Sequence, residues 1–472
     1  MIVFGHVFSF FLQVIFWAAA FFTSARILHM AGWGFVPDLT NVRPPRKGSM
    51  RKKLMFRIRR GISYLVKDDL SESQKLALWA KEETLAERPS PTPGKTPYVK
   101  ILLFAFGIRF VTLLLGYGIL ALEGGQPPTL LELFEAFRRG DSYHYLNLAA
   151  TGYSWTEDGK NLLLVFFPLY GYLVRGMNLL VGHYLASAYI VTFLCFAFGL
   201  CYLYRLVRLE FSASVAWWAL VLISIAPHGF FFGVPMTESL FLLTTAMTLY
   251  YIRIHKWYLA GIGGAFAAFT RMVGVILIIV AIVEFLTHYR VIDLIKRAKW
   301  GEIFRLMGKK GVWLLVMLLG SGAYLYINWY ISGDPFRFLH YQRTHWHNEF
   351  TYFGEVIQSQ FANIVHHDPI LTRTIFVPNI LAFTLTVGML LYATIKRLSV
   401  THIAYLLGYT FLSFAVSWLL SGGRYMAAAV PLFIFLAHFT ERRLIFRLLV
   451  PAALLAGLIA TMRWYILGEP VF

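Results

Sequence analysis

Long apolar runs alternate with short polar and basic segments along the whole chain. Residues 2–23 form the first run and residues 99–122 the second, and each is close to the ~20 residues that a membrane-spanning helix needs. From residue 162 to residue 466, apolar tracts follow one another with little interruption. The pattern predicts an all-α polytopic membrane protein with about eleven to thirteen membrane segments.

Two apolar tracts do not fit a single span. Residues 162–204 are too long for one crossing, yet two full crossings would bring the arginines after Tyr204 to the wrong side. We therefore expect residues 162–176 to form a short, half-inserted helix. Residues 257–286 carry Arg271 near their middle and predict two shorter helices that meet there, close to the outer face.

The basic segments predict which loops lie inside. Residues 45–60 and 288–310 are rich in Lys and Arg, which places them in the cytoplasm and the N-terminus outside. Residues 123–160 and 332–371 then form two large exterior loops, which we expect to carry short amphipathic helices. We expect residues 1–97 to be an added module of one span, a basic cytoplasmic segment and a linker. Residues 98–472 form the main body.

The composition agrees with a membrane protein. Hydrophobic residues make up 58% of the chain and charged residues 14%, with a mean hydropathy of +0.62, values that exclude a water-soluble domain of this length. The net charge of +19 arises from clusters between apolar runs, so it does not indicate nucleic-acid binding. Cys195 and Cys201 face away from each other on one helix and predict neither a disulfide nor a metal site.

No soluble catalytic domain is visible, so the exterior loops and the ends of spans must supply any chemistry. The glycines of GIGGAFAAF, residues 261–269, lie in an apolar segment with no strand before them, which favours close helix packing over nucleotide binding. A nucleotide-sugar enzyme with a Rossmann-like domain is therefore not expected.

An unusual aspartate lies in the first exterior loop. Thr129 and Glu132 have the spacing of a capping box and Gly140 provides a stop, which predicts a short amphipathic helix on the outer membrane surface. Asp141 follows at the boundary between lipid and water, where a general base for a lipid-soluble substrate would be placed. The alternatives are a solvated turn residue and the N-terminal cap of a helix that begins there.

Four segments together resemble a known family over roughly residues 99–440. They read GDSYHYLNLAATGY, FFPLYGYLVR, the stretch from TESLF to GVIL, and SGGRYMAAAVPLFIFLA. Their order resembles the PIG-V-like mannosyltransferases, a branch of the GT-C glycosyltransferase superfamily. The family pattern Trp-Asp-x-x-His is met by Asp141 and His144, whereas Gly140 replaces the tryptophan and puts the shape of the acceptor pocket in doubt.

The resemblance implies a GT-C-type bundle that transfers a hexose, most often mannose, from a polyprenyl-phosphate-linked donor. The acceptor would be a lipid or glycan on the extracytoplasmic face of a bacterial plasma membrane or an ER-type membrane. Asp141 would be the general base, and some members of the family require an accessory subunit.

The leaving lipid phosphate needs cations and hydrogen-bond donors. Six residues of the sequence are candidates for this role, namely Arg138, Arg139, Arg271, Arg424, His144 and Tyr145. Arg271 either binds the phosphate or pairs with Glu238, because an arginine at membrane depth requires a partner. Glu238 itself either binds the acceptor or caps the helix that begins beside Thr237.

Histidines in the second exterior loop raise the question of a metal. His345 and His347 flank Trp346 at a spacing that a helix cannot present on one face. We therefore favour binding of a sugar or phosphate by the aromatic and cationic residues of this loop, among them His345 and Trp346, with a loose exterior loop as the alternative. We expect neither a metal site nor a cofactor, although a divalent ion is not excluded.

Two other classes of protein remain as alternatives. A transporter or flippase for an anionic lipid or glycolipid would line its path with Arg271 and Arg424, but the chain shows no pair of matching halves. An inactive, enzyme-like scaffold is the second alternative. The basic part of residues 1–97 either binds anionic headgroups at the inner leaflet or serves only as a topology signal.

Overall fold

The computed structural model describes residues 2–34, 39, 42, 50–67, 90–156, 159–366 and 368–472. These residues form helices joined by short turns. The isolated bridge between Phe350 and Val416 is the one β interaction among them. The predicted all-α fold is therefore confirmed. The greater part of the predicted linker, residues 68–89, lies outside the described residues.

Three helices make up the N-terminal part. They are α1 (Ile2–Met30), α2 (Met50–Val66) and α3 (Tyr98–Gly124). Helix α1 is longer than the predicted span of residues 2–23, because its last turns contact the body of the protein. There the buried Arg26 donates to the carbonyl oxygens of Leu398 (2.7 Å) and Arg397 (2.9 Å).

Two short helices follow in the first predicted exterior loop, and a third short helix comes before a helix long enough to span a membrane. They are α4 (Leu130–Ala136), α5 (Asp141–Thr151), α6 (Pro168–Val181) and α7 (Tyr184–Val207), with a 3-10 turn at Leu162–Val165. Gly182 separates α6 from α7 with a φ of 72°. A short helix is present as predicted, but it covers Pro168–Val181 and not residues 162–176, because Pro168 begins the helix and Gly182 ends it. Its 14 residues are too few for a full span.

The next helices are short and interrupted. They are α8 (Ala213–Ser224), α9 (Glu238–Arg253), α10 (Trp257–Thr270) and α11 (Ile276–His288), with 3-10 turns at Gly229–Gly233 and Met272–Val275. Arg271 separates α10 from the following turn in an extended conformation. The two shorter helices predicted to meet at Arg271 are confirmed.

Short helices and one bent pair lead into the second predicted exterior loop, which contains the last two helices of this group. Its helices are α12 (Val291–Lys296), α13 (Trp300–Leu306), α14 (Val312–Val316), α15 (Leu318–Ser332), α16 (Arg337–Trp346) and α17 (Phe353–His366), with a π-helical turn at Met307–Gly311. Residues 300–316 and 318–332 form one bent pair with an angle of 42° between them.

The C-terminal part completes the bundle. Its helices are α18 (Pro369–Leu371), α19 (Val377–Ile395), α20 (Val400–Phe414), α21 (Gly422–Ala427), α22 (Val430–Thr440) and α23 (Leu444–Ile466), with a π-helical turn at Thr372–Phe376. In the described residues, five helices are long and apolar enough to cross a membrane, the bent pair adds a sixth if it is one span, and five further apolar helices are shorter. These eleven apolar segments agree with the predicted number.

The bundle of helices has two ends, and the site lies at one of them. Helix α9 begins at Glu238 and ends at Arg253, whereas α20 runs in the other sense, from Val400 to Phe414. Glu238 and the residues just after Phe414 line the same cavity, which we call the site cavity. We use the term opposite end for the region of Arg253 and Val400.

Candidate active site

The site cavity has a volume of about 430 Å³ and is built by stretches that lie far apart in the sequence. Polar and aromatic side chains predominate in its wall. The lining residues include Asp141, His144, Tyr145, Glu238, Arg271, Gln342, Trp346, Asn348, Trp418 and Arg424. The cavity therefore brings together parts of both predicted exterior loops and several helix ends.

Local sequence signals position Asp141. Thr129 and Glu132 form the predicted capping box at the start of α4, with both reciprocal hydrogen bonds present. Gly140 then turns the chain with a φ of 55°, a conformation that favours glycine. Asp141 is the first residue of α5, so its carboxylate lies at a helix N-terminus, where the helix dipole favours negative charge. The helix that we considered as an alternative is thus present, and Asp141 begins it.

Arg424 is the main partner of Asp141. Its guanidinium lies 2.7 Å from the carboxylate of Asp141 and 3.2 Å from that of Glu238. Helix α21 can bring Arg424 this deep because Gly423, which has no side chain, lies directly against the ring of His228. The two carboxylates therefore share one buried arginine.

Arg271 approaches Glu238 from the other side. Its guanidinium lies 2.7 Å from the Glu238 carboxylate and 3.3 Å from the hydroxyl of Thr237. The Glu238 side chain is only 2% exposed, so the pair is well buried. The expected ion pair is present, and both of its members also line the cavity. Thr237 makes no side-chain capping bond to α9.

The surroundings of Asp141 keep it ionised. Burial alone would raise the pKa of this carboxyl, but the charge and hydrogen bond of Arg424 outweigh burial and hold the pKa below its ordinary value. His144 and Arg271 lower the pKa of Asp141 further. Asp141 is therefore a carboxylate throughout the physiological pH range.

The other predicted residues of the first loop divide into two groups. His144 stacks on Phe166 with ring centroids 4.7 Å apart, and Tyr145 packs edge-on against the same ring. Both line the site cavity. Arg138 instead pairs with Glu135 at 2.5 Å, and Arg139 donates to the carbonyl of Ile466 at 2.8 Å. These two arginines lie outside the cavity lining, and Arg139 lines an adjacent groove.

The second loop contributes Trp346, one of the aromatic residues that we considered there, together with Gln342 and Asn348, which we did not predict. His345 is exposed on α16 and does not line the cavity, whereas Gln342, Trp346 and Asn348 do. Helix α16 ends at Trp346, and His347 follows with a φ of 53°. Trp418 was also missed, since nothing in its local sequence marks it. Among the described residues, no group of three or more His, Cys, Asp or Glu side chains is placed to hold a metal ion.

One family model matches part of the chain. Residues 167–319 match the family described as dolichyl-phosphate-mannose-protein mannosyltransferase. The matched region is less than half of the chain and includes Glu238 and Arg271 but not Asp141 or Arg424. This match supports a membrane glycosyltransferase of the GT-C superfamily and does not confirm the PIG-V-like branch. A search of curated proteins found no match.

The chain also resembles solved structures at low identity. ArnT from Cupriavidus metallidurans, bound to undecaprenyl phosphate, is 15% identical with a TM-score of 0.44, over 79% of this chain and 75% of that one. The oligosaccharyltransferase AglB from Archaeoglobus fulgidus, in complex with an inhibitory peptide and a dolichol-phosphate, is 13% identical with a TM-score of 0.41. That match covers 78% of this chain and 55% of the archaeal one. Likenesses of this size carry no conclusion about activity.

Proposed function

We propose that this protein is an integral membrane glycosyltransferase. It transfers a hexose, mannose by analogy with the family, from a polyprenyl-phosphate-linked donor to a hydroxyl of a lipid or glycan acceptor. The observation that carries the proposal is the meeting of Asp141, Glu238, Arg271 and Arg424 in one cavity. Such a site combines a carboxylate that can accept a proton with cations that can stabilise a phosphate. The family match over residues 167–319 supports the mannose and the lipid-phosphate donor.

Asp141 is the general base in this proposal. The acceptor hydroxyl transfers its proton to the Asp141 carboxylate while its oxygen forms a bond to the anomeric carbon of the sugar. The bond between that carbon and the donor phosphate breaks, and the lipid phosphate leaves with the electron pair. The low pKa that Arg424 imposes keeps the base unprotonated before the reaction.

Arg271 and Arg424 stabilise the leaving phosphate. Each presents a guanidinium to the cavity, and guanidinium groups bind phosphate oxygens through paired hydrogen bonds. Arg424 already contacts Asp141 and Glu238. A donor phosphate would therefore compete with Asp141 for Arg424 and release the base for the acceptor hydroxyl.

Glu238 holds the two arginines and leaves one oxygen available. Its Oε1 contacts both guanidinium groups, whereas the buried Oε2 has no hydrogen-bond partner among the described residues. A buried oxygen without a partner is costly, and a sugar hydroxyl would satisfy it. Glu238 therefore orients the cations and accepts a hydrogen bond from the substrate.

Gly140 stands where the family pattern has a tryptophan before Asp141, and tryptophans from other segments would take over the role of that side chain. Gly140 occupies the position of the family tryptophan with a φ of 55°, where a large side chain would be strained. Trp346 and Trp418 line the same cavity and offer the flat apolar surface that a sugar ring stacks on. The acceptor pocket would thus be formed by the second loop as much as by the first.

The basic segments support an extracytoplasmic site. Helix α11 starts close to Arg271 and ends at His288, where the basic stretch of residues 288–310 begins. From the positive-inside rule we expect that end in the cytoplasm and hence the site cavity on the other side of the membrane.

The test compares wild type, Asp141→Asn and the control Asp334→Asn in membranes supplied with polyprenyl-phosphate-mannose. Asp334 lies in the second loop and does not line the cavity. We expect Asp141→Asn to lose transfer to membrane lipids by about 100-fold or more, because the amide cannot accept the proton, and Asp334→Asn to retain it. Equal transfer by wild type and Asp141→Asn would show that Asp141 is not the base.

Flux measurements separate the transporter alternative. Mannose-lipid that crosses the bilayer unchanged, with the same rate in Asp141→Asn, would contradict the enzyme and favour a flippase. Transfer that appears only after a membrane extract is added would instead identify a required accessory subunit.

A further inference from the structure

Helix α2 has the composition of a helix that lies on a charged membrane. It contains six cationic residues and no acidic one. The cations are Arg51, Lys52, Lys53, Arg57, Arg59 and Arg60. Because they are spread over fewer than three turns, the first two-thirds of the helix carry a dense positive charge.

An apolar face of α2 remains uncovered by the described part of the protein. Leu54, Ile58 and Ile62 follow one another at intervals of four residues and are 55%, 47% and 37% exposed. Residues at this spacing share one helix face. Val66 continues this series in the last turn of the helix, where it and Ser63 are buried against the body. The body therefore holds α2 by its last turn and leaves Leu54, Ile58 and Ile62 open.

Specific contacts hold α2 at the opposite end of the bundle. The hydroxyl of Ser63 accepts a hydrogen bond from the backbone of Leu39 at 2.9 Å. The carbonyl of Lys67 accepts one from Arg397 at 2.7 Å, and the Arg397 guanidinium lies over the ring of Tyr64. Arg397 lies in the turn between α19 and α20, which are apolar helices of the bundle. Helix α2 is thus placed at the end of the bundle where the apolar helices α19 and α20 are joined.

A second segment at the same end has the same character. Trp300 and Phe304 of α13 are exposed at an interval of four residues, next to the basic residues of the stretch 288–310. Lys296 fixes this segment to the end of α1 by donating to the carbonyl of Trp33 at 2.6 Å. Two separate pieces of chain therefore present aromatic or aliphatic residues among cations at one end of the molecule.

We propose that α2 lies on the membrane leaflet at the opposite end and binds anionic phospholipid headgroups there, with α13 as a second contact. Leu54, Ile58 and Ile62 enter the boundary between headgroups and acyl chains, and the lysines and arginines contact lipid phosphates. Charge complementarity identifies the occupant, since a helix with six cations and no carboxylate selects an anionic surface. The apolar helices beside it already bring that surface within reach.

The test uses the full chain with Cys195 and Cys201 replaced by serine, both of which are free cysteines. A single Ile58→Cys substitution carries an environment-sensitive fluorophore, and Lys53→Cys on another face is the matched control. The protein is placed in nanodiscs of phosphatidylcholine, alone or mixed with phosphatidylglycerol. We expect the label at position 58 to report an apolar environment only in the anionic nanodiscs, and the label at position 53 to report water in both.

Removal of charge provides the second arm. Replacing Lys53, Arg57 and Arg59 together by glutamine should reduce the ratio of bound to unbound α2 by roughly two orders of magnitude, because each cation near an anionic surface contributes to binding. The proposal would be overturned if the label at position 58 reported water in both kinds of nanodisc, or an apolar environment in both. An apolar shift that requires an added cytosolic protein fraction would also overturn it and point to a protein partner.

Discussion

Among single residues, Glu238 has the largest part in balancing the charges of the site cavity. Its carboxylate accepts contacts from Arg271 and Arg424, so two carboxylates and two guanidinium groups neutralise one another before any substrate binds. Buried charges persist only when they are paired in this way. In the proposed reaction, the donor phosphate would replace the carboxylate of Asp141 as the partner of Arg424.

The first prediction concerns the link between Arg424 and Asp141. In Arg424→Gln, burial is no longer opposed by the nearest positive charge, so the pKa of Asp141 rises. A general base works only above its pKa, so the acidic limb of the pH–rate profile should move to higher pH. The measurement is the pH dependence of the remaining sugar transfer.

Arg463→Gln is the control for this change. Arg463 pairs with Glu123 on the surface at 2.6 Å and does not line the site cavity. Its pH profile should match that of the wild type. A profile that does not move in Arg424→Gln would contradict the proposed coupling.

At the scale of helices, glycine allows α10 to pack closely against its neighbours. A Cβ atom on Gly261 would lie 2.5 Å from the backbone oxygen of Trp313, and one on Gly264 would meet the side chain of Met317 at 2.7 Å. The close packing that we predicted for GIGGAFAAF is therefore confirmed. Because α10 ends next to Arg271, this packing also fixes the position of a cavity residue.

The second prediction tests that packing. Gly261→Ala should destabilise the protein by about 1–3 kcal/mol, because the backbone of Trp313 cannot move away without shifting a helix. Thermal unfolding in detergent measures the change. Gly107→Ala in α3 is the control, since an added Cβ there meets nothing within 4 Å. That variant should be neutral or slightly more stable, as alanine favours helix, and equal losses in both variants would rule out the packing explanation.

At the scale of the whole molecule, the N-terminal helix α1 packs as part of the core. Leu12, Phe16 and Ala19 of α1 belong to the same buried cluster as residues of the main body. The ring of Phe16 lies 4.9 Å from that of Phe353, and Trp17 donates to the hydroxyl of Tyr352 at 3.0 Å. The boundary near residue 97 remains a prediction, but α1 packs against the body and is not separate from it.

The third prediction follows from these contacts. Phe16→Ala should lower stability by about 3 kcal/mol, because it empties a buried ring site between α1 and α17. Phe10→Ala removes a ring that is 61% exposed and should change stability by less than about 1 kcal/mol. Unfolding of both variants in the same detergent provides the comparison. A similar effect of the two substitutions would mean that α1 does not stabilise the body.

The sequence by itself determined the membrane class, the helical fold and several local features. Features that depend only on neighbouring residues can be predicted without a structure. They include the hydrophobic periodicity, the capping box at Thr129, the break at Arg271 and the close-packing glycines. The candidates Asp141, His144, Tyr145, Glu238, Arg271 and Arg424 were also found from the sequence, although the family resemblance was needed to favour Asp141.

Only the tertiary structure decided which candidates meet. Asp141 and Arg424 are 283 positions apart, and no local pattern could reveal their contact. Arg138 pairs with Glu135, Arg139 donates to the carbonyl of Ile466, and His345 is exposed, so these three residues lie outside the cavity. Trp346 and Trp418 line it because the fold brings two distant segments together. Periodicity reports which face of a helix is buried, but the distance between two faces depends on how all the helices pack.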